Sequence, residues 1–106
     1  METTVALVTI TLYRPMELPI DIPVIDFTED LVYGKTLPVE RIATLLGCVP
    51  WQVDILATDE HFVMYSVFDC EGPENPTANA VFLELTTIDI EDDALRGSIL
   101  VIRLNK

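Results

Sequence analysis

Val39, Ile42, Ala43 and Leu46 recur at intervals of three and four, with Glu40, Arg41 and Thr44 on the other side, the pattern of one amphipathic helix. Its ends are marked too. Thr36 is placed to cap it, Pro38 suits a first turn in which its missing N–H would be unpaired anyway, and Gly47 supplies a left-handed residue to end it. The spacing predicts a helix over 37–46. Pro50 then opposes more helix and biases Val49 toward extended backbone. Beyond it Trp51, Val53 and Ile55 alternate with Gln52 and Asp54, which predicts a strand over 51–57.

The remaining pattern is mostly of period two. Val8, Ile10 and Leu12 alternate with Thr9, Thr11 and Tyr13, and the apolar run at 5–8 precedes them, predicting a first strand over 4–13 flanked on both sides. Pro15, Pro19 and Pro23 punctuate the next segment, so a short strand within 20–27 must lie at an edge. The polar stretch 58–61 between 51–57 and an apolar run at 62–68 signals a hairpin. Gly72, Pro73, Pro76 and two Asn give 69–79 the composition of an exposed loop. Val81, Leu83 and Leu85 opposite Glu84 and Thr86 predict a strand over 80–88. Acids at 89–93 precede Ala94, Leu95, Arg96 and Gly97, which suit a single helical turn, and 99–104 closes as a buried strand.

These elements describe one α+β domain over residues 1–106: a mixed sheet of four to five strands with one main helix packed on one face. The first and last strands, apolar on both sides, are expected to be neighbours near its centre. The stretch TLPVERIATLLGCVPWQVDIL resembles the helix, glycine, proline and following strand of ubiquitin-like domains, and DDALRGSILVIRL resembles their late turn and final strand. That resemblance implies a β-grasp fold and binding of partners through the open sheet face. The proline-rich first hairpin and the 69–79 loop depart from the family pattern, and the end Leu104-Asn105-Lys106 lacks the glycine pair of conjugated members. A ferredoxin-like or other α/β sandwich is the alternative architecture.

Eighteen acidic against six basic residues give a formal charge of −12, which repels nucleic acid and anionic lipid. Residues 47–50 also fit the turn of a helix-turn-helix, but the second helix would offer Gln52, Asp54, Asp59 and Glu60 where a DNA reader needs Lys or Arg. Direct nucleic-acid binding is not expected. The longest apolar runs, such as 5–8 and 99–102, are far too short to span a membrane. The start METTVALV shows no secretory leader, so a cytoplasmic protein with Cys48 and Cys70 as reduced thiols is expected.

Candidate chemistry is sparse. His61, the single histidine, stands beside Asp59 and Glu60, a grouping better explained as a solvated turn than as a metal or acid–base site. The cysteines lie far apart without paired zinc spacing, and Asp89, Glu91, Asp92 and Asp93 lack the order of a calcium loop. Ser66 and Ser98 stand in no nucleophile turn, and the four glycines are too scattered to cradle phosphate. No cofactor, metal or catalytic constellation is expected.

Two functional readings remain. In the first, the chain is a small acidic interaction or scaffold module. Phe62, Met64 and Phe68 share one parity while Val63, Tyr65 and Val67 share the other, so a single helix would leave one set open. Phe62, Met64, Tyr65 and Phe68 then mark a contact with a protein partner or a second copy, through the open sheet face or an edge. In the second, Asp59, Glu60, Asp89, Glu91, Asp92 and Asp93 belong to an acidic surface that imitates nucleic acid and inhibits a DNA-binding protein, as some phage proteins do.

Overall fold

A computed structural model of the chain describes residues 8–23, 38–69, 71–88 and 94–104. In chain order these form strands β1 (Val8–Tyr13) and β2 (Ile20–Ile22), helix α1 (Val39–Leu46), a 3-10 turn (Pro50–Gln52), strands β3 (Val53–Thr58) and β4 (Phe62–Val67), helix α2 (Pro76–Thr86) and strand β5 (Ile99–Leu104). The strands make one sheet in the order β2-β1-β5-β4-β3, and every pairing within it is antiparallel. The first and last strands are adjacent near the centre, as their two-sided apolarity implies. The sheet is not mixed, however: β5 runs antiparallel to both β1 and β4.

The two parities of the central strands form two cores. On one face Ile10, Leu12, Val63, Tyr65, Leu100 and Ile102 meet Ile42 and Leu46 of α1. On the other, Tyr13, Phe62, Met64, Ile99 and Val101 meet Ala78 and Phe82 of α2. A central strand apolar on both sides is therefore not half open but sandwiched between helices. This corrects the expectation of one helix on one face.

The first helix follows its sequence signals. Ile42, Ala43 and Leu46 are buried while Glu40, Arg41 and Thr44 face water. Gly47 ends it at φ 78°, its N–H donating to the Ala43 carbonyl at 2.8 Å. The first turn has no side-chain cap; Arg41 and Ile42 donate to the Pro38 carbonyl at 3.0 and 3.2 Å. Thr36 lies outside the described residues, as do 4–7, 24–27 and 89–93.

The second helix overturns two expectations. Over 80–88 the sequence pattern predicts a strand, yet Pro76–Thr86 is helical. Ala78, Val81, Phe82 and Leu85, spaced three and four apart, pack inward, while Leu83 and Glu84 are exposed. The exposed loop expected over 69–79 likewise ends at Asn75, which is fully buried and caps the helix by accepting from the Ala78 N–H at 3.2 Å. Pro76 occupies the first helical turn, where its lost N–H costs nothing. Ala94–Gly97 form no helical turn: Arg96 bridges to Glu74, and the Asn75 N–H donates to the Leu95 carbonyl at 2.8 Å.

Candidate functional site

With a helix on each face, the residues expected to form an open contact patch are core. Met64 has no accessible surface, and Phe62 and Tyr65 are buried, Phe62 and Met64 under α2 and Tyr65 under α1. Only Phe68 of that set reaches solvent, at 59% exposure. Burial pushes the Tyr65 phenol above its ordinary pKa of about 10 by desolvating the phenolate.

Asp59 and Glu60 are exposed in the β3–β4 turn. Asp59 builds that turn: its Oδ1 accepts from the N–H of His61 at 2.7 Å and of Phe62 at 3.2 Å. His61 is exposed beside it. Asp89, Glu91, Asp92 and Asp93 lie outside the described residues, as does Cys70, whereas Cys48 is half-buried against the α1-side core. Among the described residues no group of three or more His, Cys, Asp or Glu is placed to hold a metal ion, and no helix is long and apolar enough to cross a membrane.

An open depression of about 280 Å³ lies where β3 and β4 meet the 94–97 segment, lined by Leu56, Ser66, Asp69 and Arg96 among others. Its guanidinium is committed, donating to the Gly72 carbonyl at 3.0 Å and pairing with Glu74 at 3.8 Å. Among the described residues no histidine or lysine lines it beside Ser66, and the one carboxylate among its lining residues is that of Asp69.

The two edges of the sheet differ in chemistry. At β2 the three paired residues sit between Pro19 and Pro23, and prolines of this kind blunt an edge against further pairing. β3 is adjoined by Gln52 and Asp59, with no proline next to it. There the Phe68 N–H donates to the Gln52 carbonyl at 2.6 Å, next to the Val53↔Val67 pair. Antiparallel ladders alternate between bonded and non-bonded pairs. Asp54 therefore turns its N–H and C=O inward to Ser66, and Ile55 turns both of its groups outward, where no described strand pairs with them; Val53 turns its C=O outward, while its N–H donates to the Pro50 carbonyl of the 3-10 turn. A bulge between Ile55 and Ala57 closes this free ladder at one end and the 3-10 turn closes it at the other.

Exposed apolar side chains gather along that edge. Trp51 is 79% exposed, Ile55 57%, and Phe68, hydrogen-bonded to Gln52, stands at the Trp51 end. Asp54, Asp59, Glu60 and Asp69 are exposed around them, and residues 50–69 contain no Lys or Arg. Sequence reasoning places Trp51 and Ile55 on a strand but not on an edge, because edge position depends on which distant strands intervene. Asp54, a lone charge amid Trp51, Val53 and Ile55, is the one local signal for it. Compared with protein-family models, curated proteins and solved structures, the chain matches none.

Proposed function

We propose that the protein is a small, acidic, non-catalytic interaction module that engages a protein partner along the outer edge of β3. The observation that carries this reading is the juxtaposition of outward backbone groups with which no described strand pairs, both of Ile55's and the C=O of Val53, with three exposed large apolar side chains, Trp51, Ile55 and Phe68. Edge strands supply backbone hydrogen bonds for docking, and large apolar groups beside them supply burial. Site-specific photo-cross-linking in native-host extract tests it. A cross-linker at position 55 should yield one discrete adduct, and one at position 84, on the exposed side of α2, should not. The partner identified should then, once purified, bind the wild type and lose affinity for Ile55→Lys. Equal adducts from both positions would refute the edge.

The carboxylates of 50–69, undiluted by Lys or Arg, support a second reading as a nucleic-acid-imitating inhibitor of a DNA-binding protein. Mimicry requires the charges alone. It would lose affinity when Asp54, Asp59, Glu60 and Asp69 are neutralised and would tolerate truncation of Trp51, whereas the edge module should lose most with Trp51→Ala.

A further inference from the structure

We infer that the β3 edge receives an extended segment of another protein in which apolar residues alternate with Lys or Arg; this rests on the edge reading above. A strand laid antiparallel along β3 would bond to the N–H and C=O of Ile55 and to the C=O of Val53, whose own N–H is held by the Pro50 carbonyl. Its side chains would alternate between faces. On the α1 face they meet Ile55, which lies opposite Tyr65 and remains 57% exposed. On the other face, the residue between those two hydrogen-bonded pairs stands directly opposite Asp54, whose carboxylate is exposed. Directly opposed side chains are the strongest cross-strand pair, so an apolar neighbour for Ile55 and a cation for Asp54 are the complementary choices. Asp59, Glu60 and Asp69 reinforce this at longer range, with Arg96, which lines the same depression as Asp69, held by Glu74 and Gly72.

The same geometry disfavours a second copy of the chain. Only one two-fold antiparallel register uses both outward residues of each copy, setting Val53 against Ile55. That register places Asp54 opposite Asp54, and like charges directly opposed are destabilising. The formal charge of −12 on each copy adds repulsion at a distance.

Three capped peptides of about nine residues test the inference, each alternating Val with Lys, with Ser or with Glu. The readouts are affinity and hydrogen-exchange protection of the Ile55 amide, with the Val53 amide, already bonded to Pro50, as the internal reference. The Lys peptide should protect the Ile55 amide and bind about tenfold tighter than the Ser peptide, with the Glu peptide weakest and added salt reducing the preference. Asp54→Asn should bring Lys and Ser peptides close together. Equal binding by all three would overturn the charge alternation while leaving the edge reading intact; protection by none would overturn both. If the Lys peptide binds as well after backbone N-methylation on its pairing side, attraction is electrostatic alone, as mimicry requires, and strand addition fails. Protection that appears without peptide and rises with protein concentration would overturn the heterologous occupant in favour of self-pairing.

Discussion

Asn75 has no accessible surface, and its amide joins three parts of the chain that are remote in sequence. Nδ2 donates to the Tyr13 carbonyl at 3.0 Å and the Gly97 carbonyl at 2.8 Å, while Oδ1 caps α2 through the Ala78 N–H. Asn75→Ala would orphan all three groups. With each orphan costing about 1–3 kcal/mol, and a lost cap adding to this, the expected destabilisation is about 3 kcal/mol or more, read as a lower urea midpoint at unchanged slope. Asn75→Asp keeps the acceptor but turns a carboxylate toward two carbonyls, so it should fare no better. None of this is legible in sequence, where Asn-Pro belongs equally to loops and to helix starts. Tyr65 carries a different expectation. Its folded pKa is raised, so the native state holds the phenolic proton more tightly than the unfolded chain does. Stability is intact below about pH 10 and falls as pH rises past that value through the folded pKa. In alkaline denaturation Tyr65→Phe should lose less stability above pH 10 than the wild type; identical alkaline limbs would contradict a buried, neutral phenol.

At the scale of elements, α1 shows how far period and punctuation reach. Its apolar stripe, its Gly47 stop and a strand beyond Pro50 are readable, because each is set by residues within a turn or two of itself, but the strand begins at Val53 and Trp51, expected on it, lies in the 3-10 turn. Ile42→Asp should cost several kcal/mol, since it buries an unpaired carboxylate against Leu12, Leu100 and their neighbours, and the exposed Glu40→Ala should be nearly silent. Thermal melts of the two variants would check the helix face. For α2 the sequence supports two periods at once. Val81 and Leu85 belong both to the strand-like set with Leu83 and to the helical set with Ala78 and Phe82. What decides is long-range: the apolar face of β4 and β5 carrying Phe62, Met64, Ile99 and Val101 needs a cover, and the helical set provides one. The same absence of distant information misplaced Phe62, Met64 and Tyr65 on an open face and left the exposed edge at Ile55 undetected.

For the molecule as a whole, the excess of acidic side chains works against compactness. Among the described residues Arg14 pairs with Glu17 at 4.0 Å and Arg96 with Glu74 at 3.8 Å, both on the surface, and Asp54, Asp59, Glu60, Asp69 and Glu84 are exposed as well. Mutual repulsion among them is long-ranged and is screened with a Debye length of about 8 Å at physiological ionic strength. Melting temperature should therefore rise between low salt and about 0.15 M salt, and a fall would show that specific ion pairs outweigh the repulsion. The overall class, α+β in one domain with first and last strands adjacent, is readable because it follows from element order and two-sided apolarity. Strand direction and the second helix layer are not, since both depend on how the pieces meet.

The position of β5 sets the order in which a ribosome can deliver the fold. It is the last of the five strands to be synthesised and the middle one in the sheet. Until it emerges, the nascent chain holds two ribbons, β1 with β2 and β3 with β4, that share no ladder, and an isolated two-stranded ribbon is marginal in water at best. The inner edges of β1 and β4 and the apolar sides of both ribbons wait together for one segment. Chains stalled on the ribosome before Ile99 should be degraded by protease throughout their length, while chains stalled through an added C-terminal linker long enough to hold Leu104 clear of the tunnel should acquire resistance in a single step.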